Sequence, residues 1–215
     1  WQLATVGHGS AMKVVIVSGA GPWASWQENP SWLVASALDG RVIGQYLVKA
    51  VLRPVQWQCS EDDLLALIDE TGEELAAVVN LGLHGGASQI FVERVAVNIQ
   101  NGQDNDGVVK VDGRIVKDGP FSLEATLPTR KLVEAMRQES IPAQLSYSAG
   151  TFLCNQTMYK TLLQLARSRG AVVPAGFIHV PPLPSQVVQH TLQTTGGMPL
   201  PMLIRAVECA ILALQ

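Results

Sequence analysis

Residues 13–38 read KVVIVSGAGPWASWQENPSWLVASAL, and this stretch decides the fold. Its first part, KVVIVS, is a short β-branched run that is typical of a central strand buried on both faces. A glycine loop follows, after which Asn29 can cap a helix, Pro30 suits its first position, and Ser31 to Leu38 form its body. A buried strand that leads through a loop into a helix indicates an α/β domain.

The alternation continues along the rest of the chain. Further strands are predicted at Gln45–Leu52, Leu75–Leu81, Ile90–Ile99, Ala143–Tyr147 and Gly176–Val180. Further helices are predicted after a capping box of Ser60 and Asp63, running through Leu67 and Ile68, and at Thr129–Gln138, Phe152–Arg169 and Pro199–Leu214. Within the Gly- and Asp-rich segment Asn101–Leu127, Gly113–Gly119 is expected to be a small hairpin or a loop over the sheet. The pattern predicts a three-layer α/β/α sandwich with a mostly parallel central sheet.

The amino-acid composition excludes several classes of protein. The 215 residues suit one domain, which we assign to residues 12–215, and a hydrophobic share of 47% excludes a disordered chain. The balance of 15 Lys and Arg against 18 Asp and Glu, without a basic run, does not favour nucleic-acid binding. No apolar run approaches the roughly 18 residues of a membrane span, so no membrane association is expected. Charged residues reach only 15%, which suggests a partly covered surface and hence a homo-oligomer, a dimer or a tetramer.

The first residues of the chain and its cysteines predict where in the cell the protein is located. WQLATVGHGSA, residues 1–11, lacks the basic start and apolar core of a signal peptide and resembles a vector-derived tag remnant. Cys59, Cys154 and Cys209 cannot all pair and show no C-x-x-C spacing, so a reducing, cytoplasmic location is expected. Cys209 has helical spacing from apolar residues and Cys59 precedes a helix, so neither is expected to be catalytic.

Residues 19–24 match the G-x-G-x-x-A form of a dinucleotide-binding loop directly after a strand. In that motif the helix begins within the glycines, so that its N-terminus faces the pyrophosphate. Pro22 and Pro30 move the helix start back to about Asn29, which disfavours a nicotinamide or flavin site. No cofactor is therefore expected.

Two later loops carry groups suited to nucleophilic catalysis. SAGTFLCN, residues 148–155, places Cys154 in the first turn of a helix, where the helix dipole favours a thiolate. GFIHVPP, residues 176–182, places His179 at an apolar strand end, where it could act as a base. A buried core cysteine and a structural histidine explain the same residues, and the pattern alone leaves both interpretations open.

Glu93 is a carboxylate within the predicted strand Ile90–Ile99, and a buried carboxylate needs a partner. Its neighbour Arg94 points to the opposite face of a strand, whereas a histidine from another strand could reach it. Glu93, Cys154 and His179 would then form an orienter, a nucleophile and a base. The alternative is a structural glutamate with some other donor.

Several segments resemble one family, in order and over about residue 12 to the C-terminus. NPS, VERVAVNI, TLPTRKL, SAGTFLCNQTMY and GFIHVPPLP are similar to pyroglutamyl peptidase I, also called pyrrolidone carboxyl peptidase. The resemblance implies a phosphorylase/hydrolase-like fold, a cytosolic homo-oligomer without cofactor, and removal of an N-terminal pyroglutamyl residue from peptides. It also implies that Cys154, His179 and Glu93 are the catalytic triad.

The resemblance is less complete in the substrate pocket. Phe152 and Leu153 match two residues that grip the substrate ring in the family, but Ala20 and Trp23 replace the two phenylalanines of its first loop. Leu83 replaces a Gln, Ala87 replaces an Arg, and QNGQDN at residues 100–105 replaces a longer loop with another Arg. Two alternatives therefore stay open: a cysteine amidase with a different acyl specificity on the same scaffold, and a catalytically silent binding homologue.

Two other site classes are disfavoured by spacing. HGG at residues 84–86 suggests an esterase oxyanion loop, but no G-x-S-x-G nucleophile elbow accompanies it. His84, His179 and His190 lack the close pairing of a zinc site, so no metal is expected.

Overall fold

A computed structural model describes residues 12–168, 172–190 and 196–215. The strands are β1 Lys13–Ala20, β2 Val42–Ile43, β3 Tyr46–Arg53, β4 Leu75–Leu83, β5 Ile90–Glu93, β6 Val95–Val97, β7 Gln100–Gln103, β8 Val109–Gly113, β9 Ser122–Glu124, β10 Ala143–Ser146 and β11 Ala175–Val180. The α-helices are α1 Pro30–Leu38, α2 Asp62–Thr71, α3 Thr129–Gln138, α4 Leu153–Ser168, α5 Pro184–Gln189 and α6 Leu200–Leu212. The proposed tag remnant, residues 1–11, and Arg169 at the end of a predicted helix lie outside the described residues.

The central sheet has seven strands in the order β10-β5-β11-β4-β1-β3-β2. The pairs β11/β4, β4/β1, β1/β3 and β10/β5 are parallel, whereas β5/β11 and β2/β3 are antiparallel. The predicted fold class, an α/β sandwich with a mostly parallel sheet, is confirmed. Two-stranded sheets β6/β9 and β7/β8 lie outside it.

Helices cover both faces of the sheet, as strands buried on both sides require. One core joins the sheet to α1, α3 and α6, and a second core joins it to α2 and α4. Successive residues of a strand point to opposite faces, so Val15 and Val17 belong to the first core and Val14 and Ile16 to the second. No helix in the described part of the chain combines the length and the apolar character that crossing a bilayer requires.

Local signals predicted the first βα unit correctly. The Asn29 side chain accepts a hydrogen bond from the Ser31 backbone N–H at 3.1 Å, and Pro30 opens α1. Gly19 lies so close to the start of α1 that an added Cβ would be 2.6 Å from the Ser31 carbonyl oxygen. Only glycine allows this close approach of strand and helix.

The predicted strand Ile90–Ile99 is wrong as a single element. It breaks at Arg94: β5 belongs to the central sheet, and β6 pairs with β9 instead. The Arg94 N–H donates to the Ser146 carbonyl and its own carbonyl accepts from Ala125, so the backbone passes from one set of partners to another. The break depends on these distant partners and not on the local apolar pattern.

The predicted capping box is also wrong. Glu61 occupies the N-cap position of α2 without a side-chain cap, and the buried Ser60 hydroxyl has no hydrogen-bond partner among the described residues. Instead, the Glu61 carboxylate accepts hydrogen bonds from residues of α4, which outweigh a local cap. Of the two alternatives for Gly113–Gly119, the structure has the loop, which follows the end of β8 at Gly113. The hairpin of this segment lies earlier and is formed by β7 and β8, with a turn between Asp104 and Val108.

Candidate active site

The candidate site is a cavity of about 330 Å³ where β1, β3, β4 and β11 end and α4 begins. Ligand sites of open α/β sheets form beyond the carboxyl ends of the strands. All residues predicted to bind substrate line the cavity, together with the predicted nucleophile and base: Ala20, Trp23, Leu83, Phe152, Leu153, Cys154 and His179. Glu93 is not part of the lining and lies behind His179.

Cys154 is the second residue of α4, as the sequence predicts. The chain enters this helix through Gly150, whose φ of +79° is in the left-handed region that favours glycine. The first turn of an α-helix has backbone N–H groups without intrahelical partners and carries the positive end of the helix dipole. The thiol therefore lies in an environment that favours a negative charge.

His179 and Glu93 meet because of the antiparallel register of β11 and β5. Phe177 is opposite Glu93 and His179 is opposite Phe91, so Glu93 and His179 are diagonal neighbours on the same face. The His179 Nδ1 atom is 2.7 Å from Oε1 of Glu93, and both side chains are buried. Arg94 turns elsewhere, pairing with Glu124 at 3.9 Å.

The imidazole of His179 interacts electrostatically with the Cys154 thiol, and both residues line the cavity. Gly82 pairs with His179 in the β4/β11 register, and a Cβ added there would be 3.0 Å from Sγ of Cys154 and 2.7 Å from the Phe177 ring. The bare backbone at Gly82 leaves the space that the thiol occupies. The structure thus brings Glu93, His179 and Cys154 close together, with Glu93 bonded to His179 and the Cys154 thiol beside the same strand.

The electrostatics of these residues favour a charged pair. Burial alone raises the pKa of the Cys154 thiol, but the charge of His179, its hydrogen bond and the charge of Arg53 outweigh burial and lower that pKa. Burial alone lowers the pKa of His179, but the charge and hydrogen bond of Cys154, together with Glu93, raise it to about 9. Both shifts favour the thiolate–imidazolium form of the pair, in which a cysteine is most nucleophilic.

Aromatic side chains form one wall of the cavity. The Phe152 ring is 5.6 Å from the Trp23 ring and 5.1 Å from the Trp57 ring, measured between centroids. An added Cβ at Gly102 would be 2.8 Å from Phe152, so the shortened loop at residues 100–105 packs directly against this wall. Trp23 and Phe152 thus form an aromatic part of the cavity lining, and Gly102 of the short loop packs against Phe152.

Sequence reasoning did not assign five polar residues of the cavity lining to the site: Asn29, Arg53, Ser60, His84 and Ser148. The His84 ring is 5.7 Å from the His179 ring, and burial followed by the charge of His179 lowers the pKa of His84. Arg53 is a charged residue at the carboxyl end of a predicted strand, and that position is the signal that could have identified it. Ser60 has no such signal, and in the sequence it is interpreted as part of a helix capping box.

Comparison with known proteins identifies the family. The pyroglutamyl peptidase family model matches residues 12–215. The chain belongs to the pyroglutamyl peptidase family. It is 39% identical over 205 residues to the pyrrolidone-carboxylate peptidase of Thermococcus litoralis, covering 93% of this chain and 92% of that protein. It is 37% identical over 199 residues to the enzyme of the same name from Halalkalibacterium halodurans, covering 92% and 97%.

Solved structures of the family have the same fold. The pyrrolidone carboxyl peptidase of Thermococcus litoralis matches with a TM-score of 0.87 at 39% identity, over 94% of this chain and 93% of that one. The pyroglutamyl peptidase I of Bacillus amyloliquefaciens matches with a TM-score of 0.88 at 30% identity, over 94% of each chain. The expected family and enzyme class, a hydrolase acting on peptide bonds, are confirmed.

Proposed function

We propose that the protein removes an N-terminal pyroglutamyl residue from peptides, with Cys154 as nucleophile, His179 as acid and base, and Glu93 as the residue that orients His179. The observation that carries this proposal is the 2.7 Å contact between Glu93 and His179, with the Cys154 thiol beside His179 at the edge of a mainly apolar cavity. An apolar cavity with a few polar groups suits a small lactam ring. The relatives are named for the same substrate.

The first half of the reaction is acylation. The Cys154 thiolate attacks the carbonyl carbon of the scissile amide, and the resulting oxyanion is stabilised by backbone N–H groups at the start of α4. When the tetrahedral intermediate collapses, the C–N bond breaks and the His179 imidazolium gives its proton to the departing amine. The products of this half are a free peptide and a thioester on Cys154.

The second half is hydrolysis of the thioester. Neutral His179 removes a proton from water, the hydroxide adds to the thioester carbonyl, and the C–S bond breaks to release pyroglutamate and the Cys154 thiolate. The carboxylate of Glu93 accepts a hydrogen bond from Nδ1 of His179 throughout, which holds the ring in place and stabilises its protonated form. Glu93 itself needs no change of protonation.

The test is release of a fluorescent amine from a pyroglutamyl amide by the wild type and by Cys154→Ser, with folding checked by circular dichroism. We expect turnover by the wild type and a loss of more than about 10³-fold in Cys154→Ser, because a serine hydroxyl is not ionised in this environment. Cys59→Ser and Cys209→Ser are matched controls that we expect to retain activity. Loss of turnover in a folded Cys59→Ser would contradict the assignment of the nucleophile.

A second candidate is an amidase of the same mechanism with a different N-terminal acyl specificity. It is favoured by Ala20 and Leu83, which line the cavity and replace larger or more polar residues of the family pattern. This enzyme would ignore the pyroglutamyl amide, yet Cys154 would still be alkylated rapidly below the ordinary thiol pKa. An ordinary Cys154 pKa together with no turnover would indicate a catalytically silent homologue instead.

We also propose that the protein is a single domain over residues 12–215 that acts as a cytoplasmic homo-oligomer. The large apolar side chains Val109, Val111, Phe121 and Tyr147 are exposed, which supports association with another copy. Cys59, Cys154 and Cys209 are all free, which supports a reducing compartment. Light scattering during gel filtration would measure the oligomeric state, with a monomer as the contradicting result, and cell fractionation would test the location.

A further inference from the structure

Arg53 is a charged residue of the cavity lining that the proposed mechanism does not use. It is the last residue of β3, only 2% exposed, and among the largest fully buried side chains of the described residues. It lines the same cavity as Cys154. A fully buried charge is costly in free energy unless other groups compensate it, so its presence here needs a physical reason.

The guanidinium of Arg53 is held in place by neutral groups. Its Nε donates to the Ser18 hydroxyl at 2.9 Å, one terminal nitrogen donates to the Thr157 hydroxyl at 2.9 Å, and the other donates to the Leu81 carbonyl at 2.7 Å. Ser18 is itself fixed, because its hydroxyl donates to the Asn80 side chain at 2.6 Å. These contacts fix the position of the charge but do not neutralise it.

The nearby carboxylate is already engaged with another cation. Glu61 accepts from Lys160 at 2.9 Å in a salt bridge and from the Thr157 hydroxyl at 2.9 Å. Thr157 therefore separates Glu61 from Arg53. Within the described ranges 12–168, 172–190 and 196–215, no carboxylate forms a salt bridge with Arg53.

Two contacts of Arg53, with Thr157 and with the Phe177 ring, lead towards the thiol. Thr157 follows Cys154 by one turn of α4, so both residues lie on the same side of the helix. The guanidinium carbon of Arg53 is 5.8 Å from the centre of the Phe177 ring. That ring and Sγ of Cys154 both lie against Gly82, as the contacts of an added Cβ there indicate. Arg53 and the thiol are thus close neighbours on one face of the sheet.

We propose that Arg53 is a positioning residue whose buried guanidinium stabilises the Cys154 thiolate as a second cation beside His179. The inference rests on the proposed function, in which Cys154 is the nucleophile. Arg53 keeps its charge because the thiolate offsets the free-energy cost of burying the guanidinium. The thiolate in turn has a positively charged neighbour that, unlike His179, takes no part in proton transfer. Consistently, burial lowers the pKa of Arg53, whereas the charges of Cys154 and then Glu61 raise it.

The test compares Arg53→Lys with Arg53→Gln. Both variants shorten or simplify the side chain, but only Lys retains the positive charge. The rate of Cys154 alkylation by iodoacetamide is measured against pH in a background of Cys59→Ser and Cys209→Ser, so that only one thiol reacts. Arg205→Gln, which removes a guanidinium at an exposed site far from the cavity, is the matched control.

We expect the alkylation midpoint of Arg53→Gln to rise by about one pH unit, which is an approximately tenfold lower rate on the acidic side. Arg53→Lys should recover most of this shift, and Arg205→Gln should not move the midpoint. Equal midpoints in Arg53→Gln and Arg53→Lys would overturn the proposal, because Arg53 would then only connect β3, β4 and α4. An ordinary midpoint in the wild type, by contrast, would contradict the proposed function itself.

A further variant keeps the test decisive if neither Arg53 variant folds. Glu61→Gln removes a negative charge next to Arg53 and retains the shape of the side chain. We expect the alkylation midpoint of Cys154 to fall, the opposite direction to that of Arg53→Gln. A midpoint that stays unchanged or rises would overturn the proposal.

Discussion

The two faces of the central sheet are built from the same strands but differ sharply in chemistry. The core under α1, α3 and α6 consists of apolar side chains from one end of the strands to the other. On the opposite face, under α2 and α4, the core is apolar only near the start of the strands. Near their carboxyl ends this face carries buried polar residues: Ser18, Arg53, Asn80, Glu93 and His179.

The difference shows where the fold places its costly groups. Val15 and Val17 continue the first core, whereas Ile16 on the second face is followed by the polar Ser18. Each polar residue of the second face has a distant partner, which rigidly positions the groups around Cys154. We infer that the first face mainly supplies stability, and that the polar end of the second face mainly supplies reactivity.

Glu93→Gln is expected to have the largest effect, which is a loss of turnover without a loss of stability. The amide can donate a hydrogen bond to Nδ1 of His179 and so stabilise the wrong tautomer, and it no longer stabilises the imidazolium. Turnover of the pyroglutamyl amide should fall by about 10² to 10⁴-fold, while the midpoint of thermal unfolding changes little. A Glu93→Gln enzyme with normal turnover would show that the polar face is only structural.

Leu132→Ala, on the apolar face, is expected to lower stability without lowering turnover. Leu132 is fully buried between α3 and the sheet, far from the cavity lining. Its truncation should lower the free energy of unfolding by about 2–5 kcal/mol, measured by urea denaturation. The turnover per folded molecule should equal that of the wild type, and a large loss would mean that the two faces are coupled.

The pH dependence of kcat/KM should also distinguish the two faces, by a smaller effect. The value of kcat/KM should rise as Cys154 ionises, and fall about tenfold per unit above pH 9 as His179 loses its proton. Because Glu93 raises the pKa of His179, Glu93→Gln should move the alkaline limb to lower pH. Leu132→Ala should move neither limb, and a shift of the alkaline limb in that variant would contradict the separation of roles.

Local sequence signals predicted the parts of the fold that depend on neighbours in sequence. Asn29 and Pro30 define the start of α1 within a few residues, and the β-branched run before them defines β1. The break at Arg94 could not be predicted in this way, because it depends on hydrogen bonds with Ser146 and Ala125. A strand can therefore end at a residue where the apolar sequence pattern continues.

The site divides in the same manner. Cys154 begins a helix that follows a strand, and His179 lies at the end of an apolar strand, so their positions were recognisable. Glu93 was connected with them because a buried carboxylate needs a partner, and the family resemblance implied the same three residues. Arg53 was missed because its partners Ser18 and Thr157 lie 35 and 104 positions away in the chain. The position of Arg53 at the end of a strand indicates the site, but its burial becomes apparent only when its distant hydrogen-bond acceptors are known.

Trapping of the acyl-enzyme is the direct test of Cys154 as the nucleophile. A pyroglutamyl nitrophenyl ester is mixed with the protein, the reaction is quenched in acid, and the cysteine-containing peptides are analysed by mass spectrometry. The account predicts a burst of nitrophenol equal to the protein concentration and one pyroglutamyl group on the peptide that contains Cys154. Ester turnover with no burst, or with the acyl group on Cys59 or Cys209, would contradict it.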